Sequence, residues 1–466
     1  MSRRTSIAVG LVVFLLYLSH PSSFHNFDGV ACAIAVELGE PRNLVHGNHL
    51  VYGLAGWAFR GLLHSAGIRL SGLWALQVLD SLAGAAAVGV FHATLLAAGL
   101  LPGAALLAAA GLAFSFSFWF WSLEAQVYAL GALCLALLLR ETLRDRPSPY
   151  RLALWHGLSM LCHGANALLA PVAVANLWRA HEDKRRATGL YLVSAAALVA
   201  AAYAAAAVWL LRPRSLEELR VWLLGSAALT ADRSFSWHGT GLWEGVSAWL
   251  GMSLKAVSPA PWLAWAPWTC GLWALFKLRE TRRRLALSAW LWLGCYALLF
   301  MRWEPYTMVY RMSDMLPLWL LAAVCVERAW DQRYGKAACL GFVLLLGAVN
   351  FGSGILPASR EQGNTPLQRA LWIRDSTPED AWVASYGIFD VYIPYFAHRR
   401  PLNLRYFKGR REALAGRLWE ILESGAPVFV TSSVLREAGE SPSLLTLGEV
   451  SRGHGDVLYR IQGVAE

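Results

Sequence analysis

The sequence has little charge for its length. Of its 466 residues, 15% are charged and 56% are hydrophobic, and the mean hydropathy is +0.41. A soluble chain of this size needs a much more polar surface. The composition therefore excludes an ordinary soluble protein and predicts an integral, multi-pass membrane protein that is mostly solvated by lipid.

The sequence also lacks several patterns that mark common kinds of site. Its 7 cysteines include no CxxC pair and all lie in or beside apolar runs, so neither a disulfide framework nor a zinc site is predicted. No glycine-rich phosphate loop of the kind that binds nucleotides is present. The net charge of +10 comes from Arg and Lys between the apolar runs, which indicates membrane topology and not a nucleic-acid partner.

The apolar runs and the basic clusters between them predict the topology. The runs have the length needed to cross a hydrocarbon core of roughly 30 Å. Basic clusters favour the cytoplasmic side, and they occur at residues 3–4, 140–151, 179–186, 277–284 and 328–336. About eleven transmembrane helices are predicted, at residues 6–18, 72–97, 103–118, 125–139, 152–162, 165–178, 189–211, 260–276, 285–301, 312–326 and 337–351. The N-terminus is then cytoplasmic, and the first run is predicted to be a retained signal anchor.

Two segments do not follow this rule directly. Residues 151–179 form one long apolar run with basic residues at both ends, so a hairpin with its tip at His163 and Gly164 is predicted. Residues 50–65 form an apolar run that contains Arg60. If this run crossed the membrane fully, all later basic clusters would lie on the side opposite the cytoplasm. This segment is predicted to be an interfacial or re-entrant helix on the outer face.

The character of the chain changes near residue 356, where proline, charge and turns become frequent. Two domains are predicted: a transmembrane domain at residues 1–356 and a small extracytoplasmic α/β domain at residues 357–466. Residues 381–385 and 427–430 predict short buried strands, and residues 411–423 predict a helix between them.

Polar residues gather on the predicted outer side. They are Asp28, His46, His49, Glu124, His163, Asn166, Arg302, Tyr310 and Arg311. Charge at a membrane boundary is costly and is therefore usually paired or functional. Each residue alone could be a solvated loop residue or a side chain that reaches the interface, but their convergence favours a substrate site. The three histidines form no recognised metal-ligand motif, so no metal is predicted.

Four motifs resemble, in order, those of the GT-C superfamily of polyprenol-dependent membrane glycosyltransferases, especially its DUF2723 and protein O-mannosyltransferase-like branch. They are Asp28-Gly29, residues 46–52 with the sequence HGNHLVY, residues 118–130 with the sequence FWFWSLEAQVYAL, and residues 157–166 with the sequence GLSMLCHGAN. The resemblance covers about the first 180 residues by motif and the rest only by architecture. It implies that Asp28 is the general base and that the donor is a polyprenyl-phosphate sugar.

The resemblance predicts an inverting membrane glycosyltransferase in a bacterial inner (plasma) membrane. The sugar would pass to a glycan or protein acceptor of the cell envelope on the outer face, without a cofactor or a divalent metal. Asp28, or next Glu124, would take the acceptor proton, while Arg302 and Arg311 would bind the leaving phosphate. Two alternatives stay open: a catalytically inactive scaffold for envelope assembly, and a transporter or flippase of a lipid-linked substrate.

Overall fold

A computed structural model describes residues 2–224, 241–277, 280–439 and 445–464 of this largely helical chain. The chain forms two compact units. The first comprises Met1–Ser22 and Ala35–Pro357, and the second comprises Ser23–Ile34 and Ala358–Glu466. The segment 23–34, which the sequence analysis assigned to the transmembrane domain, is thus grouped with the C-terminal residues.

The described helices up to residue 358 make up most of the first unit, although the helix Phe27–Leu38 begins in the second unit and Ala358 belongs to that unit. They are α1 (Ser2–Leu18), α2 (Phe27–Leu38), α3 (Pro41–Leu44), α4 (Tyr52–Ser65), α5 (Gly72–Ala97), α6 (Pro102–Phe114), α7 (Phe116–Leu123), α8 (Val127–Thr142), α9 (Pro149–Cys162), α10 (Ala170–Ala180), α11 (Lys184–Ala205), α12 (Leu216–Leu224), α13 (Leu242–Val257), α14 (Pro261–Lys277), α15 (Glu280–Phe300), α16 (Met315–Ala329), α17 (Gly335–Asn350) and α18 (Leu356–Ala358). Short 3-10 or π segments occupy Gly164–Leu169, Ala206–Leu211, Met308–Asp314 and Phe351–Ile355. Among these helices, α2, α3, α12, α13 and α18 were not predicted.

Four of the described helical stretches are long and apolar enough to cross a membrane. They are Gly72–Ala97, Lys184–Leu211, Met308–Ala329 and Gly335–Ala358. A fifth is obtained if α6 and α7, which meet at an angle of 59°, count as one span. The prediction of a multi-pass helical protein is confirmed at this coarse level. The helix α4 has 14 residues, too few for this group, and its place at the interface stays a prediction.

The bend between α6 and α7 corrects the straight span predicted at residues 103–118. Ser115 at the break has an extended backbone, with φ −60° and ψ 132°. Its hydroxyl donates to the Gly111 carbonyl over 2.9 Å and accepts from the Trp319 indole over 2.7 Å. Serine side chains that bond to the backbone compete with the helical ladder and bend helices. The helix therefore changes direction at a buried serine that is held by a tryptophan of α16.

The predicted basic loops lie together at one end of the first unit. His181, which follows α10, bonds through Nε2 to the Pro147 carbonyl over 2.9 Å. This contact brings both ends of the segment 151–179 together, in agreement with the predicted hairpin. Arg284 donates to the Thr142 carbonyl over 3.3 Å, and Arg282 donates to the Ala98 carbonyl over 2.7 Å. Within the basic cluster 277–284, residues 278 and 279 lie outside the described residues.

The second unit contains a five-stranded mixed sheet. Its strands are β1 (Trp382–Ser385), β2 (Arg400–Asn403), β3 (Val428–Thr431), β4 (Leu445–Gly453) and β5 (Asp456–Val464), in the order β2-β1-β3-β5-β4. The strands β2, β1 and β3 are parallel, whereas β5 is antiparallel to both β3 and β4. The predicted strands at residues 381–385 and 427–430 are confirmed as β1 and β3.

Helices pack against this sheet around an apolar core. They are α19 (Thr365–Ser376), α20 (Phe389–Tyr392), α21 (Arg411–Glu423) and α22 (Ser432–Ala438), together with the beginning of α2. The predicted helix at residues 411–423 is confirmed as α21. Asn364 donates to the Ser23 and Phe24 carbonyls over 2.7 and 2.8 Å. These bonds tie the segment after α1 to the C-terminal residues and explain why it belongs to this unit.

Candidate functional site

The connection between α7 and α8 is the polar centre of the first unit. Glu124 and Gln126 have extended backbones there, with ψ of 149° and 139°, although both side chains are buried. Glu124 has no exposed surface and accepts a hydrogen bond from the Ser22 hydroxyl. Gln77 of α5 donates to the Ser22 carbonyl over 2.7 Å and so holds this serine in place. A carboxyl group is thereby fixed at an unwound point between two apolar helices.

A second buried acid, Asp80, lies beside this connection and was not predicted from the sequence. Its Oδ2 atom accepts from the Tyr52 hydroxyl over 2.5 Å and from the Gln126 backbone N–H over 2.9 Å. Its Oδ1 atom has no hydrogen-bond partner among the described residues. One signal could have identified it, because Asp80 is the one acidic residue of the long apolar helix α5 and such acids are functional candidates by default.

The aromatic rings of three histidines and two tyrosines lie close together around the tip of the hairpin. This group of side chains is called the histidine cluster below. The ring centroids of His49 and His163 lie 5.1 Å apart, and those of His46 and His49 lie 5.6 Å apart. Tyr128 and Tyr310 approach His163 to 5.2 and 5.8 Å. The structure thus brings together the predicted residues His46, His49, His163 and Tyr310, and it adds Tyr128.

The surroundings keep two of these imidazoles neutral. Burial, together with the smaller effect of the neighbouring His163, lowers the pKa of His49 to about 3. Burial likewise lowers the pKa of His163 to about 4. The His49 Nδ1–H donates to the Cys162 carbonyl over 3.1 Å, which fixes its orientation. Neutral imidazoles on an aromatic surface suit hydrogen bonding to hydroxyl groups more than charge pairing.

Asn166 stabilises the hairpin beside this cluster. It accepts from the Tyr296 hydroxyl over 2.6 Å and donates to the Ser159 carbonyl over 2.8 Å. With Tyr128, His163 and Tyr296 it lines a small cavity of about 20 Å³, room for about one water molecule. Both the oxygen and the nitrogen of the Asn166 amide thus bond to protein groups, which indicates that it positions the cluster.

Arg311 and Asp314 form a buried ion pair near the cavity. Both side chains have no exposed surface, their closest N and O atoms lie 3.3 Å apart, and the guanidinium stacks 4.3 Å from the Phe300 centroid. None of the three Arg311 side-chain nitrogens makes a hydrogen bond within the described residues. A buried cation with unused donors is costly, so this pair is a candidate anion site.

Two predicted residues, Arg302 and Asp28, are exposed. Arg302 is exposed, beyond the end of α15. Asp28 lies in the second unit, exposed, in the first turn of α2. No group of three His, Cys, Asp or Glu able to hold a metal occurs in the part of the chain that the structure describes.

Comparisons with known proteins give the class of the fold. Residues 74–186 match the family described as the protein O-mannosyl-transferase TMEM260 N-terminal domain, a range that includes Asp80, Glu124 and His163. A search of curated proteins found no significant match.

Solved structures match nearly the whole chain. ArnT from Cupriavidus metallidurans bound to undecaprenyl phosphate is 12% identical with a TM-score of 0.64, covering 98% of this chain and 97% of that one. The archaeal oligosaccharyltransferase AglB from Archaeoglobus fulgidus is 13% identical with a TM-score of 0.56, covering 97% and 74%. The mycobacterial arabinofuranosyltransferase AftD is 14% identical with a TM-score of 0.52, covering 100% and 42%.

The chain therefore has the fold of the GT-C membrane glycosyltransferases. The predicted resemblance is confirmed for the fold and, over residues 74–186, for the protein O-mannosyl-transferase family model, whereas the DUF2723 branch stays a prediction.

Proposed function

We propose that this chain is a membrane glycosyltransferase that transfers a sugar from a polyprenyl-phosphate donor to a glycan or protein acceptor of the cell envelope. The end-to-end likeness to ArnT bound to undecaprenyl phosphate is the observation that carries the proposal. The polar centre of the first unit supports the proposal. Its buried carboxyl groups lie beside the histidine cluster, and this arrangement is suited to binding a sugar.

The reaction would be an inverting transfer. Asp28 accepts the proton of the acceptor hydroxyl, and the hydroxyl oxygen forms a bond to the anomeric carbon. The bond between that carbon and the phosphate oxygen breaks, and polyprenyl phosphate leaves with the electron pair. Asp28 is exposed at a helix start, which is compatible with proton transfer from a large acceptor. Glu124 is the second candidate base, although its hydrogen bond from Ser22 favours a positioning role.

Two arginines are proposed to bind the leaving phosphate. Arg302 is exposed and can meet a lipid-linked phosphate directly. Arg311 keeps donors that no described residue uses, and a planar guanidinium matches phosphate oxygens with two parallel bonds. Because Arg311 is fully buried, its binding to phosphate requires the segment Met308–Asp314 to move.

The histidine cluster would bind the sugar. Neutral His49 and His163 can donate to or accept from sugar hydroxyls, and the rings of Tyr128 and Tyr310 supply flat apolar surface. We propose about eleven membrane crossings, a cytoplasmic N-terminus, an extracytoplasmic C-terminal unit and a bacterial inner membrane as the location.

Lipid-linked sugars and envelope glycans, compared in cells with and without the protein, test the proposal. Accumulation of one polyprenyl-phosphate sugar together with loss of one glycan is expected, and the accumulated lipid identifies the donor. Unchanged lipid-linked sugars and unchanged glycans would overturn the proposal. If the Asp28→Asn/Glu124→Gln variant fully repairs the glycan defect, the result would instead favour a catalytically inactive scaffold.

A further inference from the structure

An apolar groove with a basic end lies between α1 and α5 of the first unit. It has a volume of about 630 Å³ and is separate from the polar centre described above. Its walls include Ile7, Leu11, Leu82 and Ala93, and its lining also includes Arg3 and Arg140. The two arginines come from the beginning of α1 and the last turn of α8.

The close contact of α1 and α5 forms one side of this groove. A Cβ atom added to Gly89 would lie 2.9 Å from the Ser6 carbonyl oxygen, so the two helices meet there through backbone. Ser6 and His92 add a buried hydrogen bond of 2.9 Å across the same contact. Ile7 and Leu11 are 62% and 56% exposed. The groove is therefore bounded by a fixed helix pair and by side chains that face the surroundings.

The basic end has no acidic counterpart within the described residues. Both Arg3 and Arg140 are exposed, and no described Asp or Glu pairs with either. The neighbouring Glu141 is engaged by Arg144 and Arg151 at 3.8 and 3.4 Å. Two exposed cations at one end of an apolar groove, with no acidic partner in the described ranges, complement a molecule with an anionic head and a hydrocarbon chain.

We propose that this groove binds a phospholipid with a net negative headgroup. Arg3 and Arg140 contact the headgroup, and an acyl chain lies along Leu11, Leu82 and Ala93. An apolar transmembrane helix is a poorer occupant, because it would leave both arginines without an anion. The basic end coincides with the end where the predicted cytoplasmic loops meet, which places the headgroup in the cytoplasmic leaflet under the predicted topology.

Native mass spectrometry of the full purified chain tests this binding. The chain is offered equal amounts of phosphatidylglycerol and phosphatidylcholine with identical acyl chains. Preferential retention of phosphatidylglycerol is expected. Each arginine near an anionic headgroup contributes about a fivefold change, so an Arg3→Gln/Arg140→Gln variant should bind phosphatidylglycerol roughly twenty-five times more weakly.

Two further variants separate groove binding from general charge. An Arg185→Gln/Arg186→Gln variant removes the same charge from exposed positions outside the groove, and it should retain phosphatidylglycerol as the wild type does. An Ala93→Phe variant fills the groove with both arginines intact, and it should lose the bound lipid. Size-exclusion profiles establish that each variant is folded.

Equal retention of the two lipids, or an equal loss of lipid in the two arginine variants, would overturn the proposal. So would a lipid-free complex with the mass of two chains that is still observed for the Arg3→Gln/Arg140→Gln variant. The last would identify a second copy of the chain as the occupant. None of these outcomes bears on the proposed glycosyl transfer, which is measured separately.

Discussion

The Tyr52 hydroxyl donates a 2.5 Å hydrogen bond to the Asp80 carboxyl group, and neither side chain is appreciably exposed. The same oxygen accepts from the Gln126 backbone, so the contact joins α4, α5 and the connection that carries Glu124. The polar centre of the first unit thus depends on a contact between three separate segments of the chain.

A Tyr52→Phe variant should destabilise the first unit. The change leaves Asp80 with one hydrogen bond fewer in a buried place, which costs roughly 1 to 3 kcal/mol. Thermal unfolding of the purified protein in nanodiscs measures the loss. Tyr150→Phe is the matched control, since Tyr150 is 60% exposed. An equal midpoint for Tyr52→Phe and wild type would contradict the inferred importance of this contact.

The long regular elements were predictable because their signals are local. The span predicted at residues 72–97 is α5 with the same limits, and the helix predicted at residues 411–423 is α21. Both follow from an uninterrupted pattern within one segment.

Features that depend on distant residues were not predictable in this way. The break at Ser115 depends on Trp319, some two hundred positions away. The buried pair of Tyr52 and Asp80 depends on the packing of α4 against α5. The β4–β5 hairpin was missed because its strands carry charge on an exposed face, although His454 and Gly455, with φ of 49° and 71°, form the kind of turn that suits such a hairpin.

Gly111→Ala should destabilise the packing of α6 against α16. A Cβ atom at this position would lie 2.2 Å from the Trp319 ring, which must then shift within a buried contact. Overpacking of this kind costs about 1 to 3 kcal/mol, measurable as a lower unfolding midpoint. Gly294→Ala in α15 is the control, because no neighbouring atom lies within 4 Å of its added Cβ. If both variants unfold at the same temperature, the Trp319 contact is not tight.

The histidine cluster should make stability fall on acidification. The folded pKa is about 3 for His49 and about 4 for His163, whereas an unfolded histidine has a pKa of about 6.5. Between those values the unfolded chain binds more protons than the folded chain does. The contribution of these histidines to the free energy of unfolding is therefore fully present above about pH 6.5 and decreases as the pH falls towards 4.

Unfolding midpoints at pH 7.5 and 5.0 measure this dependence. A His49→Gln/His163→Gln variant should show a smaller difference between the two pH values than the wild type. His64→Gln is the control, because His64 is exposed and outside the cluster. An undiminished difference in the double variant would show that other groups cause the acid sensitivity.

Reporter fusions test the predicted orientation. A reporter after Arg186 should be cytoplasmic because the loop 179–186 is basic, and a reporter after Glu466 should be extracytoplasmic. The same side for both would remove the topological basis for placing the polar residues on one face. A structure in lipid that shows α4 crossing the bilayer would contradict its predicted interfacial position.

Asp28→Asn tests the proposed general base. The substitution keeps the size of the side chain and removes its basicity, so membrane insertion should be normal. A well-placed general base contributes about 10² to 10⁴ in rate, and transfer should therefore fall at least roughly a hundredfold. Sugar transfer from a purified polyprenyl-phosphate donor, measured as a rate per folded protein, gives the result.

Two variants make this test specific to basicity. Asp28→Glu retains a carboxylate and should keep more activity than Asp28→Asn, whereas Asp375→Asn changes an exposed acid of α19 in the same unit and should leave the rate unchanged. An exposed acid without a catalytic role contributes within about 0.5 kcal/mol to stability, so a purely structural Asp28 would give a nearly normal rate in all three variants. A wild-type rate in Asp28→Asn would rule out this residue as the base, and Glu124→Gln would then be the variant expected to lose activity, since Glu124 is the other carboxyl group proposed for the role.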